Sequence, residues 1–186
     1  MTVRRVSSRT LGAGTGAPWL TGVVAYAAAV AMALVVLVTP TPAAAHKSYR
    51  PQLKGDAAGI RAAVEMMAAA KKPVLYTGGG VINSGPHACQ LLRELVSLTG
   101  FPITSTLMGL GAYPASGDNW LGMLGMHGTY EANMAMHDCD LMVCIGARFD
   151  DRITGRTDAF SPGSRKIHID IDPSSINKTI NVDLPI

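Results

Sequence analysis

The sequence predicts an α/β fold, a doubly wound parallel sheet with helices on both faces, of Rossmann-like type. Two observations lead there: an opening unit of strand, glycine turn and helix, and a repetition of apolar runs alternating with helical or loop stretches. Strands separated by helices need crossover connections, and crossovers build parallel sheets covered on both sides.

The elements follow in order. After Gly55-Asp56, apolar residues at Ile60, Ala63, Val64 and Met67 make one helical stripe, with Asp56 available as its cap and Lys71-Lys72-Pro73 ending it. Val74-Leu75-Tyr76-Thr77 reads as a buried strand running into Gly78-Gly79-Gly80. Pro86 opens a second helix carrying Leu91, Leu92, Leu95 and Leu98, stopped by Gly100. Ile103–Thr106 is a second strand, followed by a long loop rich in Gly and Met and by a helix from about Thr129 to His137. Leu141–Ile145 and Lys166–Ile171 complete the expected strands. In sheets of this kind ligands gather at the carboxyl ends of strands. Those ends carry Gly78-Gly79-Gly80, Thr106-Leu107-Met108, Gly146-Ala147-Arg148 and Asp170-Ile171.

With 186 residues and 48% hydrophobic content, one ordinary core is expected. Composition breaks near His46. Residues 1–55 hold six of the 16 basic residues and none of the 13 acidic ones, so the remaining ten basic residues are outnumbered and the domain is acidic. That balance gives no case for nucleic acid as a partner, which would need clustered Lys and Arg. Residues 1–45 form an apolar leader in which Leu11–Ala45 is uncharged. Trp19–Val38, about twenty residues, would span about 30 Å as a helix. Three origins stay open: a transmembrane helix making membrane contact through residues 19–38, a secretory signal ending in small residues, or foreign sequence from a broken reading frame. Cys89, Cys139 and Cys144 show neither a disulfide framework nor zinc-ligand spacing, and buried thiols are expected. No metal-ligand set and no catalytic residue is assigned.

Each candidate contact has two readings. The three glycines would let a pyrophosphate approach the backbone, or simply make a tight turn; they are neither G-x-G-x-x-G nor a P-loop. Arg148 and Arg152 could hold phosphate oxygens while Asp150 and Asp151 accept from ligand donors, or Arg148-Phe149-Asp150-Asp151-Arg152 is a solvated charged loop. Asp170 could accept from a ribose or cap the turn toward Pro173. His127, between Met126 and Gly128, is read as structural rather than as a base. Met108, Met123 and Met126 offer adaptable surface to a flat ring system, or fill gaps in a core. His87, His137 and His168 are unremarkable in this reading.

Five motifs in order resemble the middle domain of the acetolactate synthase (acetohydroxyacid synthase) large subunit, a thiamine pyrophosphate enzyme. They are Tyr76-Thr-Gly-Gly-Gly-Val-Ile-Asn83, Thr104-Ser-Thr-Leu-Met-Gly-Leu-Gly111, Leu121-Gly-Met-Leu-Gly-Met-His-Gly-Thr129, Gly146-Ala-Arg-Phe-Asp-Asp-Arg-Ile-Thr-Gly155 and Lys166-Ile-His-Ile-Asp-Ile-Asp-Pro173. The resemblance runs from about His46 to Ile186 and implies a central, FAD-binding domain over residues 46–186. It implies FAD in a structural role, in an enzyme condensing pyruvate with pyruvate or 2-oxobutyrate for branched-chain amino acid biosynthesis.

By the same resemblance the FAD contacts are Gly78, Gly79, Gly80, Thr106, Leu107, Met108, Leu124, Gly125, Met126, His127, Gly146, Ala147, Arg148, Asp150, Arg152, Asp170 and Ile171. Met126, Asp151 and Arg152 are also expected near a herbicide-binding channel. Thiamine pyrophosphate and Mg2+ are expected on flanking domains rather than on residues of this chain. The resemblance further implies a homo-oligomer, a small regulatory subunit and a cytoplasmic location, or a membrane one if the leader is a genuine helix. The expectation is an acetolactate synthase fragment, truncated after Leu184-Pro185-Ile186 and inactive alone. The rival expectation is a membrane-tethered nucleotide-binding or regulatory module; a nicotinamide nucleotide domain, as in protein deacetylases, ranks last.

Overall fold

A computed structural model describes residues 50–186, so the apolar leader expected over residues 1–45 lies outside the described residues. Among the described residues no helix is long and apolar enough to cross a membrane.

Helix α1 (Ala57–Ala69) starts as its sequence dictates, with the Asp56 carboxylate accepting from Ala58 N–H at 3.3 Å and Gly59 N–H at 2.8 Å. Its buried stripe is the expected Ile60, Ala63, Val64 and Met67. Strand β1 (Pro73–Thr77) leads into Gly78, which begins a short helix α2 (Gly79–Asn83), so the glycine cluster is a helix start rather than an open turn. Helix α3 (Pro86–Thr99) has Pro86 in its first turn and ends at Gly100. It buries Leu91, Leu92, Leu95 and Val96, each such side chain contributing about 1.5–3 kcal/mol by leaving water.

Strand β2 (Ile103–Ser105) stops one residue short of expectation, because Thr106 turns its hydroxyl to accept from Gly109 N–H at 3.2 Å and opens a 3-10 turn, Leu107–Gly109. The long loop contains an unforeseen strand, β3 (Trp120–Met123), which is half-buried throughout and interrupted by Gly122 at φ 93°, leaving no alternation to detect. Helix α4 (Tyr130–Asp138) is capped by the Thr129 hydroxyl, and β4 (Leu141–Ile145) falls on the predicted residues. A one-turn helix α5 (Asp151–Thr154) stands where a charged loop was read. Strand β5 (Arg165–Ile169) ends early because the Asp170 carboxylate accepts from Asp172 N–H at 2.8 Å and turns the chain. Strand β6 (Leu184–Pro185), two residues long, was not foreseen.

The six strands are parallel in the order β3-β2-β1-β4-β5-β6. On one face Leu75, Ile103, Val143 and Ile167 pack with the stripes of α1 and α3; on the other Val74, Tyr76, Met142 and Cys144 pack with Ala132 and Met136 of α4. The sheet is therefore doubly wound. Its order reverses between β1 and β4, where the turns after both strands meet at the carboxyl edge.

Candidate functional site

The carboxyl edge is assembled by close backbone packing. Gly78 N–H donates to Ile145 O at 3.0 Å and Gly80 N–H to Gly146 O at 2.9 Å, lashing the turn after β1 to the turn after β4. A Cβ built on Gly78 would lie 2.4 Å from Gly146 O, and one on Gly80 2.7 Å from Gly146 Cα. Only glycine fits at these two positions, so the cluster has a packing reason independent of any ligand. A Cβ on Gly79, by contrast, meets only Met108, its Cβ at 3.1 Å and its backbone O at 3.5 Å. The segment Thr106-Leu107-Met108 sits against this turn, Thr106 N–H donating to Thr77 O at 2.9 Å.

Farther along the edge, Leu124 N–H donates to Ser105 O at 3.3 Å and Met126 N–H to Arg152 O at 2.9 Å, so Leu124–His127 and Arg152 form one unit. Asn133, a residue that sequence reasoning passed over, holds this loop: its Oδ1 accepts from Gly125 N–H at 2.9 Å and its Nδ2 donates to Gly125 O at 3.0 Å. The chain turns at Gly125 with φ 94°, where a side chain would also strike Arg152 O.

The side chains exposed along this edge are of two kinds. Leu107, Met108 and Met126 are 67%, 73% and 69% exposed, so they do not fill the core. Met123 is only half-buried, and His127 is exposed. Arg148 pairs with Asp150 at 3.1 Å and Arg152 with Asp151 at 3.7 Å, both in open solvent, where such pairs contribute little to stability. The charged loop is thus solvated and its guanidinium groups accessible.

Between the turns after β1, β4 and β5 lies a cleft lined by Gly80, Val81, Ile145, Gly146, Ile169, Asp170 and Ile171, with Gln52 and Lys54 also on its wall. Gln52 N–H donates to Ile171 O at 2.8 Å, tying the N-terminal segment to this wall. Burial pushes the Asp170 carboxyl above its usual range, against the pull of the Asp172 N–H. Asp170 both lines the cleft and makes the turn that leads to Pro173.

His168 is far from unremarkable. It is fully buried, its Nε2 lies 2.8 Å from Ala147 O, and burial holds its pKa below the ordinary histidine value. Because a carbonyl only accepts, Nε2 carries the proton, and Nδ1 is buried without a hydrogen-bond partner among the described residues. Asp170 Oδ2 lies 3.8 Å away, but a neutral ring makes this a contact rather than an ion pair. A histidine between Ile167 and Ile169 of an expected buried strand was the available signal, since a buried polar ring must find a partner. The three cysteines are buried free thiols, as expected, and burial raises the pKa of Cys139 and Cys144.

With this geometry in view, residues 60–186 match the family model for the thiamine pyrophosphate enzyme, central domain. The chain is 50% identical over 140 residues to the acetolactate synthase isozyme 3 large subunit of Escherichia coli, covering 75% of this chain and 24% of that protein. It is 47% identical over 140 residues to the acetolactate synthase large subunit of Haemophilus influenzae, with the same shares. To an acetolactate synthase of Mycobacterium bovis it is 49% identical over 138 residues, 74% of this chain and 22% of that one. The chain thus spans about a quarter of the length of these curated relatives. By its match and its sheet, the chain belongs to the thiamine pyrophosphate enzyme central-domain family.

Proposed function

We propose that residues 46–186 are the FAD-binding central domain of an acetolactate synthase large subunit. The observation that carries the reading is the convergence of four strand ends on one edge that combines a cleft, accessible guanidinium groups and outward-facing Leu107, Met108 and Met126. Those features fit a flavin dinucleotide: apolar side chains suit a planar ring system, arginines suit a pyrophosphate, and a part-buried carboxylate suits a ribose hydroxyl.

In this reading Gly78–Gly80, Thr106–Met108, Leu124–His127, Gly146–Arg148, Asp150, Arg152, Asp170 and Ile171 hold the nucleotide. FAD when bound serves as a structural element. Asp170 accepts hydrogen bonds, Arg148 and Arg152 supply positive charge, and Met108 and Met126 exclude water from the ring. Condensation of pyruvate with pyruvate or 2-oxobutyrate uses thiamine pyrophosphate and Mg2+, which this reading assigns to other domains of the long enzyme, working as a cytoplasmic homo-oligomer with a small regulatory subunit. Residues 1–186 alone form no acetolactate.

Titration of the purified chain with FAD, followed by quenching of flavin fluorescence, tests the reading. Saturable binding that survives competition by NAD supports it. The absence of binding up to millimolar FAD overturns it, and acetolactate formation by the isolated chain overturns the assignment of the chemistry elsewhere.

A further inference from the structure

The strand register aligns three polar side chains in one buried row. Tyr76 of β1 pairs with Cys144 of β4, and Cys144 with His168 of β5, all fully buried on the α4 face. Each reaches the same short segment. Tyr76 Oη donates to Arg148 O at 2.8 Å, Cys144 Sγ to Ala147 O at 3.0 Å, and His168 Nε2 to that same Ala147 oxygen at 2.8 Å. Two donors on one carbonyl use both of its lone pairs. Phe149 closes the row from above, its ring 5.7 Å from that of Tyr76 and 5.2 Å from that of His168.

Peptide planarity gives this row a consequence at the edge. In a trans peptide the carbonyl and the following N–H point in opposite directions, and no cis bond occurs among the described residues. Drawing the Ala147 and Arg148 carbonyls into the sheet therefore turns the Arg148 and Phe149 N–H groups away from it. We infer that Tyr76, Cys144 and His168 are positioning residues, a cross-strand clamp that fixes Ala147–Phe149 so that the outward Arg148 and Phe149 N–H groups meet acceptor oxygens of the bound flavin nucleotide. The inference rests on the flavin reading above. The three residues touch no ligand themselves; they act through the loop.

The test uses the full chain in wild-type form and as Tyr76→Phe, His168→Leu, His168→Gln and Val96→Ala, the last placed on the α3 face as a stability control. Two quantities are read: FAD affinity by fluorescence, and ligand-free amide hydrogen exchange over residues 146–150. Loss of one clamp hydrogen bond in Tyr76→Phe or His168→Leu is expected to weaken FAD about tenfold and speed loop exchange about tenfold, with the exchange of β1 and β4 unchanged. His168→Gln, which keeps a terminal N–H donor, is expected within about threefold of wild type on both. Val96→Ala lowers the melting temperature and leaves both readouts in place. Unchanged loop exchange in Tyr76→Phe and His168→Leu would overturn the clamp. Faster exchange with unaltered FAD affinity would overturn its role in binding. If the wild type binds no FAD, the flavin reading fails, and the exchange data alone decide whether the clamp orders the loop.

Discussion

The two ends of the parallel sheet are closed by different means. At the amino edge, carboxylates grip backbone: Asp140 accepts from Lys71 N–H at 2.7 Å and Lys72 N–H at 2.9 Å, and Asp183 accepts from Lys166 N–H at 2.7 Å. The Lys166 ammonium donates to Ser161 O and Ser164 O, both at 3.0 Å, so this end satisfies itself. At the carboxyl edge, glycine turns pack backbone against backbone, polar anchors are sunk beneath the loops, and apolar side chains are left facing outward. One edge satisfies its own polar groups, and the other leaves apolar side chains and guanidinium groups in solvent. The difference lies in where polar groups point, not in how many there are.

The largest expected break in that comparison is steric. Gly78→Ala places a methyl 2.4 Å from Gly146 O, a backbone atom that cannot step aside, and should destabilise the protein by about 3 kcal/mol in urea unfolding. Gly163→Ala, before β5 at the amino edge, meets no atom within 4 Å and should stay within about 0.5 kcal/mol. Equal losses at both positions would erase the contrast.

Next comes the buried histidine. His168→Leu removes one of two donors to Ala147 O and should lower stability by about 1–2 kcal/mol. Burial lowers the folded-state pKa of His168 below the ordinary histidine value of 6.5, so the folded chain binds fewer protons there than the unfolded chain. Its contribution is full above pH 6.5 and is lost as pH falls below that value. Asp170 acts in a lower window with the opposite sign: its raised pKa means stability is lost as pH rises from 3.8 through the folded value. Melting curves of wild type and His168→Gln between neutrality and pH 5 should diverge, with the wild type falling faster; parallel curves would refute the assignment.

Asp140→Asn should produce a smaller loss at the amino edge. Hydrogen bonding from Lys71 N–H holds the Asp140 carboxyl below its ordinary range, so its stabilisation is present above pH 3.8 and vanishes as pH falls through the lowered value. The difference in urea midpoint between wild type and variant should therefore close in strong acid. Smallest in stability is Met108→Ser, expected within about 0.5 kcal/mol because the side chain is already 73% exposed. Its effect should fall on FAD titration instead, an about threefold loss of affinity from the apolar contact removed.

Much of this fold is legible in the residues themselves. Asp56 as cap, the Ile60–Met67 stripe, Pro86 and Gly100 bounding α3, and the strand Leu141–Ile145 all follow from local rules of capping and periodicity. Strands β3 and β6 escaped because one is interrupted by Gly122 in the left-handed region and the other is only two residues long, one of them Pro185. Of the candidate site, the edge residues were expected from the strand ends and the motif resemblance, and the structure brings Gly78–Gly80, Thr106–Met108, Gly146–Arg148 and Asp170 to the carboxyl edge of the sheet.

The sequence by itself determined α1, α3, α4 and the strands β1, β2, β4 and β5, and, through their alternation with helices, that the sheet is parallel. Only the tertiary structure decided that Asn133 clasps Gly125, that Gly78 and Gly80 are demanded by Gly146, and that Tyr76, Cys144 and His168 share one row. The physical reason is range. Caps and stripes are settled within a turn or two of chain, whereas a cross-strand hydrogen bond depends on register between residues as far apart as Tyr76 and Arg148, which no local pattern encodes.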